Sequence, residues 1–310
     1  MTNLHVRIAI QDGVFSSQDA YDCGHDRHTV DALVAAGKVV RVRRGAFVDA
    51  GYLADATPER RHALRTWAVV RSFGPEGTVA PSHHSAVAVH DLPLHQVDQD
   101  HIHLSRTRAG GTRVTAGVTI HRHLPDEAYV RDRGRVVVRP GVAVLQAAAV
   151  HGLATGVVAA EAGLNRRLFT RGDLDQALEL SRLGRGRPWA RATVAVADGH
   201  SESPGESLTR LLLASAGLPT PEQQVDVYDD AGLVGRVDFL FRAAGVIVEF
   251  DGAVKYDGAE GRRALVREKR REDRLRALGY EVVRLTWADL QHPLEVHRRF
   301  LAAARRAART

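Results

Sequence analysis

Lysine is nearly missing from this chain: among 310 residues it occurs only at Lys38, Lys255 and Lys269, so almost all of the positive charge is arginine. The formal net charge is +6. That balance permits a polyanionic partner without establishing one, and part of the arginine reads as compositional background. Cysteine is scarcer still. A lone Cys23 excludes an internal disulfide framework and any zinc site built from several cysteines. No run of about 18 uncharged apolar residues occurs, so neither a membrane span nor a membrane partner is expected. The opening "MTNLHVRIAIQDG" lacks the charged start, apolar centre and small-residue cleavage site of a secretory signal. A cytoplasmic protein is the expectation. Apolar residues at 44% and charged residues at 26% are ordinary for a globular chain long enough for two or three domains.

Residues 1–52 read as a small helical domain with a hairpin. Ser16 or Ser17 can cap a short helix that Gly24 ends. Val30, Leu33 and Val34 then follow helical spacing, with Gly37 closing the helix. "KVVRVRRGAFV" alternates like a strand, turns at Arg44-Gly45 and returns. Helix, turn, helix and basic hairpin is the order of a winged helix-turn-helix, in which Lys38, Arg41, Arg43 and Arg44 would sit where a wing touches phosphate. The same basic hairpin could equally be a solvated surface.

Residues 53–195 read as an α/β region. "TPERRHALRTWAVVRSFG" is an amphipathic helix, "APSHHSAVAVHDLPL" a helix opening at Ser82, and "DQDHIHLSR" and "GVTIHRHL" alternate as strands. "PGVAVLQAAAVHG" and "GVVAAEAGLNRRLFTRGDLDQALEL" are helical, and "RLGRGRPWA" is a Gly/Arg connection. Histidines crowd this region, among them His83, His84, His90, His95, His101, His103, His121 and His123. Their spacing fits no H-E-x-x-H ligand pair, so they read as hydrogen-bonded or exposed side chains rather than metal ligands.

Residues 200–310 alternate helix, three strands, helix, strand, helix, which predicts a mixed sheet flanked by helices. The stretch "GRVDFLFRAAGVIVEFDG" carries the chemistry. Two strand-like runs joined near Arg242–Gly245 hold Asp238, Glu249 and Asp251, with Val237, Phe239 and Phe241 expected on the opposite face from Asp238. Buried like charges resist ionisation unless something positive lies among them. A divalent cation with oxygen ligands, Mg²⁺ or Mn²⁺, lying among these carboxylates would resolve this. Pairing with arginines is the competing reading, and Asp251-Gly252 is also an ordinary turn signal. Glu206, three residues after Ser203, fits a helix cap as well as a site acid. The later helix carries eight basic residues against three acids from Arg262 to Arg276, Arg270 and Arg274 among them, and reads as a nucleic acid contact or as a salt-bridged face. No organic cofactor is called for.

These last 110 or so residues resemble the PD-(D/E)xK nuclease superfamily, and more closely its Vsr-like domain of unknown function 559. Glu206, "VDFLF" with Asp238, "VEFDG" with Glu249 and Asp251, and "REDRLRALGYEVVRLTWADL" carry the likeness. The resemblance implies a restriction-endonuclease-like fold, Mg²⁺ held by strand acids, and DNA cleavage, with Asp238 a metal ligand, Glu249 the second acid and Glu206 in support. Where the superfamily pattern places a lysine stands Asp251; only Lys255, just beyond the motif, and Lys269 could substitute in this domain. The first part, through "SHHSAVAVHDLPL", is similar to AbiEi-type antitoxin regulators, which implies DNA binding and a possible cognate toxin. Two functions follow as expectations: a Mg²⁺-dependent DNA endonuclease guided by a winged helix, or a DNA-binding regulator without cleavage.

Overall fold

The computed structural model describes residues 3–74, 77–252 and 258–309, with the side chains of 258–262, 264 and 265 left aside. The chain divides into two compact units, Met1–Ala197 and Asp198–Thr310. Segments 1–52 and 53–195, read above as separate domains, lie together in the first.

The first unit opens with α1 (Leu4–Ile10), β1 (Val14–Ser16), α2 (Ser17–Asp22), α3 (Arg27–Ala35), β2 (Val39–Arg43) and β3 (Ala46–Asp49). The strands form an antiparallel sheet in the order β1-β3-β2. Ser16 caps α2 in a reciprocal capping box with Asp19, and Asp26 caps α3 through Thr29. Gly45 takes φ +81° in the β2–β3 turn. Helix α1 was not anticipated: Leu4 and Ile8, one turn apart, bury against Phe15, Ala20, Val30, Val39 and Phe47.

Next come α4 (Gly51–Ala54), α5 (Pro58–Arg71), β4 (Val79–Pro81), α6 (His83–Val89), β5 (Ile102–Arg106), β6 (Arg113–Thr115), β7 (Val118–His121), β8 (Tyr129–Asp132) and β9 (Arg135–Val138). A mixed sheet runs β4-β5-β7-β6, with β5 and β7 parallel. Helices α7 (Pro140–His151), α8 (Leu153–Asn165), α9 (Arg171–Leu180) and α10 (Arg187–Val196) complete the unit. Because α7 is buried along Gly141–Ala148, it carries apolar residues all round. Helix α10 occupies part of the stretch read as a connection; Pro188 begins it at a position where a missing N–H is harmless. Val14, Ala46 and Val48 share one apolar core with Leu64, Trp67, Ile102 and Val144.

The second unit consists of α11 (Pro204–Ser215), β10 (Glu222–Asp229), β11 (Gly232–Phe241), β12 (Val246–Phe250), α12 (Gly258–Ala277), β13 (Glu281–Leu285) and α13 (Pro293–Ala307). Its sheet order is β10-β11-β12-β13, antiparallel except for the parallel β12–β13 pair. One core joins Phe239, Phe241, Val246 and Val248 to Leu212 and Leu213 of α11 and Val296 and Phe300 of α13. A second joins Val237, Leu240 and Ile247 to Leu275 of α12. Val237 therefore does not share the face of Phe239 and Phe241, contrary to simple alternation. Pairing passes from Val225↔Val237 to Gln223↔Phe239 around Gln224, whose φ is +51°. The strand rolls at Asp238, between the two cores. Among the described residues no helix is long and apolar enough to cross a membrane.

Candidate active site

The register Phe239↔Val248 sets Asp238 beside Glu249 at the end of the β11–β12 pairing. The Phe250 amide donates to Asp238 Oδ2 at 2.9 Å. Burial raises the Asp238 carboxyl to about 6, the charges of Glu206 and Glu249 push the same way, and the Phe250 amide and Arg271 oppose them only in part. Asp238 thus lies where negative charge is under-compensated.

Glu206 reaches the site from the first turn of α11. Ser203 accepts from its amide and caps the helix. The Glu206 carboxylate accepts from the Glu202 amide, the Ser203 hydroxyl and the Gln224 side chain, each at 2.8 Å. The Ser203 cap and Glu206 hold each other in place, so the bonds that start the helix also fix this acid. Gly205 allows this approach: a β-carbon there would stand 1.9 Å from Cε1 of Phe250, whose ring lies edge-on to Trp287 at 5.0 Å. Gly205→Ala gains roughly 1 kcal/mol of helix propensity but forces that ring aside at about 1–3 kcal/mol. A net loss of about 1 kcal/mol is expected in denaturant titration, and a gain would show that the ring moves freely.

Glu249 is held differently. Arg271 of α12 grips it with Nη2–Oε1 at 2.6 Å and Nη1–Oε2 at 3.3 Å. Arg271 also bonds Glu268 at 3.0 Å and the Arg236 carbonyl at 2.8 Å. Arg284 of β13 meets Glu268 at 2.5 Å and Glu272 at 3.2 Å. The arginine pairing weighed from sequence is present at Glu249, through Arg271 at 2.6 Å and, more distantly, Arg284 at 3.9 Å. The Asp251 amide donates to the Leu285 carbonyl at 2.7 Å, which ties the end of β12 to β13. Lys255 lies outside the described residues.

Of the residues expected to meet nucleic acid, Lys38, Arg41 and Arg44 are exposed on the β2–β3 hairpin. Arg41 pairs with Asp31 of α3. Together with Arg44 it lines a cleft of about 600 Å³ among α2, α3 and the hairpin. Arg43 instead lies over the Phe73 ring, 5.7 Å from its centre. Arg270 is exposed on α12. Arg274 is engaged internally: it grips Asp229 through two bonds of 2.7 and 2.6 Å, which fastens α12 to the β10–β11 hairpin.

The histidines form a cluster that spacing along the chain did not reveal. His103 and His121, on parallel neighbours β5 and β7, are joined Nδ1 to Nε2 at 2.9 Å. His84 Nδ1 meets His151 Nε2 at 3.0 Å. His83 stacks on His121 at 3.9 Å. Burial, then the neighbouring imidazoles, depresses His103 to about 2, His84 to about 3 and His83 well below its usual value; burial and His101 lower His121 to about 4. The signal lay in "HIH", where alternation sets His101 and His103 on one face, their rings 5.0 Å apart; His123 of "HRH" lies beyond β7 and stacks on Tyr129 instead.

No protein-family model matches the chain. It is 27% identical over 179 residues to an uncharacterized protein of Mycobacterium tuberculosis, found in strain CDC 1551 / Oshkosh and in strain H37Rv. The match covers 58% of this chain and 65% of each relative, so this chain spans just under two thirds of their length.

Proposed function

We propose that the protein binds DNA through its first unit and cleaves it, with a divalent cation, at the Asp238 site of the second. The observation that carries this reading is the half-buried Asp238 carboxyl, set beside Glu249 by the β11–β12 register, where burial and the charges of Glu206 and Glu249 disfavour its ionisation. Among the described residues only the Phe250 amide donates to it. Such a site favours a cation that replaces the missing positive charge. Asp238 and Glu249 would hold Mg²⁺ or Mn²⁺. Bound there, the ion would lower the pKa of a water and offset charge on the leaving oxygen. Both oxygens of Glu249 accept from Arg271, yet each keeps a lone pair, so the pairing orients the acid without using it up. Glu206 is fixed by its three donors and adds to the field on Asp238. Exposed Lys38, Arg41 and Arg44 beside α3 suit the phosphate backbone.

A second reading rests on Glu249 itself. If its bond to Arg271 persists, the second unit serves binding alone and the protein is a DNA-binding regulator. Incubating the full chain with supercoiled plasmid and Mg²⁺ or Mn²⁺ separates the two. Nicked or linear product that chelator suppresses supports cleavage. Salt-sensitive retention of uncut DNA with both metals would favour the regulator.

A further inference from the structure

We infer that His83, His103 and His121 form a transition-metal site in the first unit, separate from the carboxylate site. One ring nitrogen from each lies within 4.8 Å of the others, the only such set of His, Cys, Asp or Glu among the described residues. Three elements supply them: the first residue of α6, the second residue of β5 and the last residue of β7. Because β5 and β7 run parallel with His103↔Thr119 and Ser105↔His121 in register, His103 and His121 point to the same face of the sheet. His83 closes the set from above, its ring centre 3.9 Å from His121 and 5.1 Å from His103.

Several features separate this set from ordinary core histidines. His83 and His103 are only 7% and 8% exposed, so the site is largely shielded from water. His83 adopts φ +51°, a conformation a β-carbon disfavours, and Gln146 Oε1 accepts from its amide at 3.1 Å and holds it there. Its Nδ1 meets the Ser82 hydroxyl at 3.0 Å, the kind of outer bond that orients a ligating imidazole. The His103–His121 contact of 2.9 Å is one N–H shared between two nitrogens. An ion can replace that proton if the donor ring carries it on its other nitrogen. By contrast, His62 spends both nitrogens on the Gln99 carbonyl and the Ser85 hydroxyl, a fully satisfied core histidine. Three imidazoles and no carboxylate suit a borderline ion such as Zn²⁺ or Co²⁺ rather than Mg²⁺, and leave a coordination position for water or a ligand.

The test is a Co²⁺ titration of the full chain after chelator treatment, followed by visible absorption. It is run in an Asp238→Asn background so that an ion held by the carboxylates is not counted. One equivalent should bind with the d–d bands of a low-coordinate site, and Zn²⁺ should displace it. His121→Gln, at the least buried of the three, should weaken binding by at least about 100-fold, since even outer-shell changes cost 10–100-fold. His121→Cys should restore binding with an added sulfur-to-cobalt charge-transfer band, which a purely structural histidine would not produce. Absence of saturable Co²⁺ binding in the folded parent would overturn the inference. So would binding left unchanged in both His83→Gln and His121→Gln.

Discussion

Asp238→Asn should abolish metal-dependent cleavage and at the same time stabilise the second unit in the absence of metal. The two effects share one cause. Asn keeps an oxygen to accept the Phe250 amide that now bonds Asp238 Oδ2 at 2.9 Å, but it removes the charge that burial, Glu206 and Glu249 oppose. A carboxyl raised from 3.8 to about 6 takes up a proton on folding between those values. Wild-type stability is therefore fully present below the unfolded value near 3.8, falls as pH rises, and has lost this contribution above about 6. At face value the shift is worth about 3 kcal/mol, and solvent screening of a partly exposed group trims it to about 2 kcal/mol or less. The variant should then gain roughly 5 °C or more in the second unit's calorimetric transition near neutral pH. The gap should narrow towards about pH 4. Mg²⁺ should raise the wild-type transition and leave the variant unmoved, and plasmid cleavage should fall at least about 100-fold. A variant that melts no higher than wild type near neutral pH would mean that Arg271 already balances the acids, and would move the assignment towards binding without cleavage.

The order of elements in the second unit was legible because its runs are short, β-branched and bounded by turn residues such as Gly245 and Gly279, both at positive φ. The acids stood out for the same reason: charge inside a strand pattern is conspicuous. Their partners were not. Arg271 is one of eight basic residues on a charged helix, and nothing local distinguishes it from Arg274, which grips Asp229 instead. The roll at Asp238 was hidden as well, since strict alternation cannot anticipate a left-handed Gln224 on the neighbouring strand. In the first unit the histidine cluster escaped a search along the chain because it arises from register. His103 and His121 meet only when β5 and β7 pair in parallel, and His83 joins them only from the turn into α6. Helix α1 was within reach, since Leu4 and Ile8 carry the spacing.

Asp19→Ala should be among the most destabilising single changes in the first unit. Asp19 is 2% exposed, and its carboxylate holds Ser16, Arg71 and Arg7. The Ser16 amide and hydroxyl donate at 2.8 and 2.7 Å, Arg71 of α5 donates twice at 2.9 and 2.6 Å, and Arg7 of α1 lies at 3.2 Å. Burial alone would raise this carboxyl. The bonds from Arg71 and Ser16 outweigh it and hold the acid far below its usual value. The residue therefore completes the Ser16 capping box of α2 and ties α2 to α5. Its removal loses one half of the capping box, worth about 1 kcal/mol, and strands the Arg71 guanidinium, a loss of about 3–5 kcal/mol for a fully buried pair. Because Arg71 keeps 30% side-chain exposure and can turn to water, the lower figure applies. A total near 4 kcal/mol should lower the transition of this unit by about 8–16 °C. Asp19→Asn retains an acceptor for Ser16 and should lose about half as much. For an acid depressed in the folded state, the stabilisation is present above the unfolded value near 3.8 and is lost as pH falls through the folded one. The deficit of Asp19→Asn should thus be full near neutral pH and shrink steadily below about pH 4. A deficit independent of pH from about 7 to 3 would show that shape and capping, not the charge shared with Arg71, fasten α2 to α5.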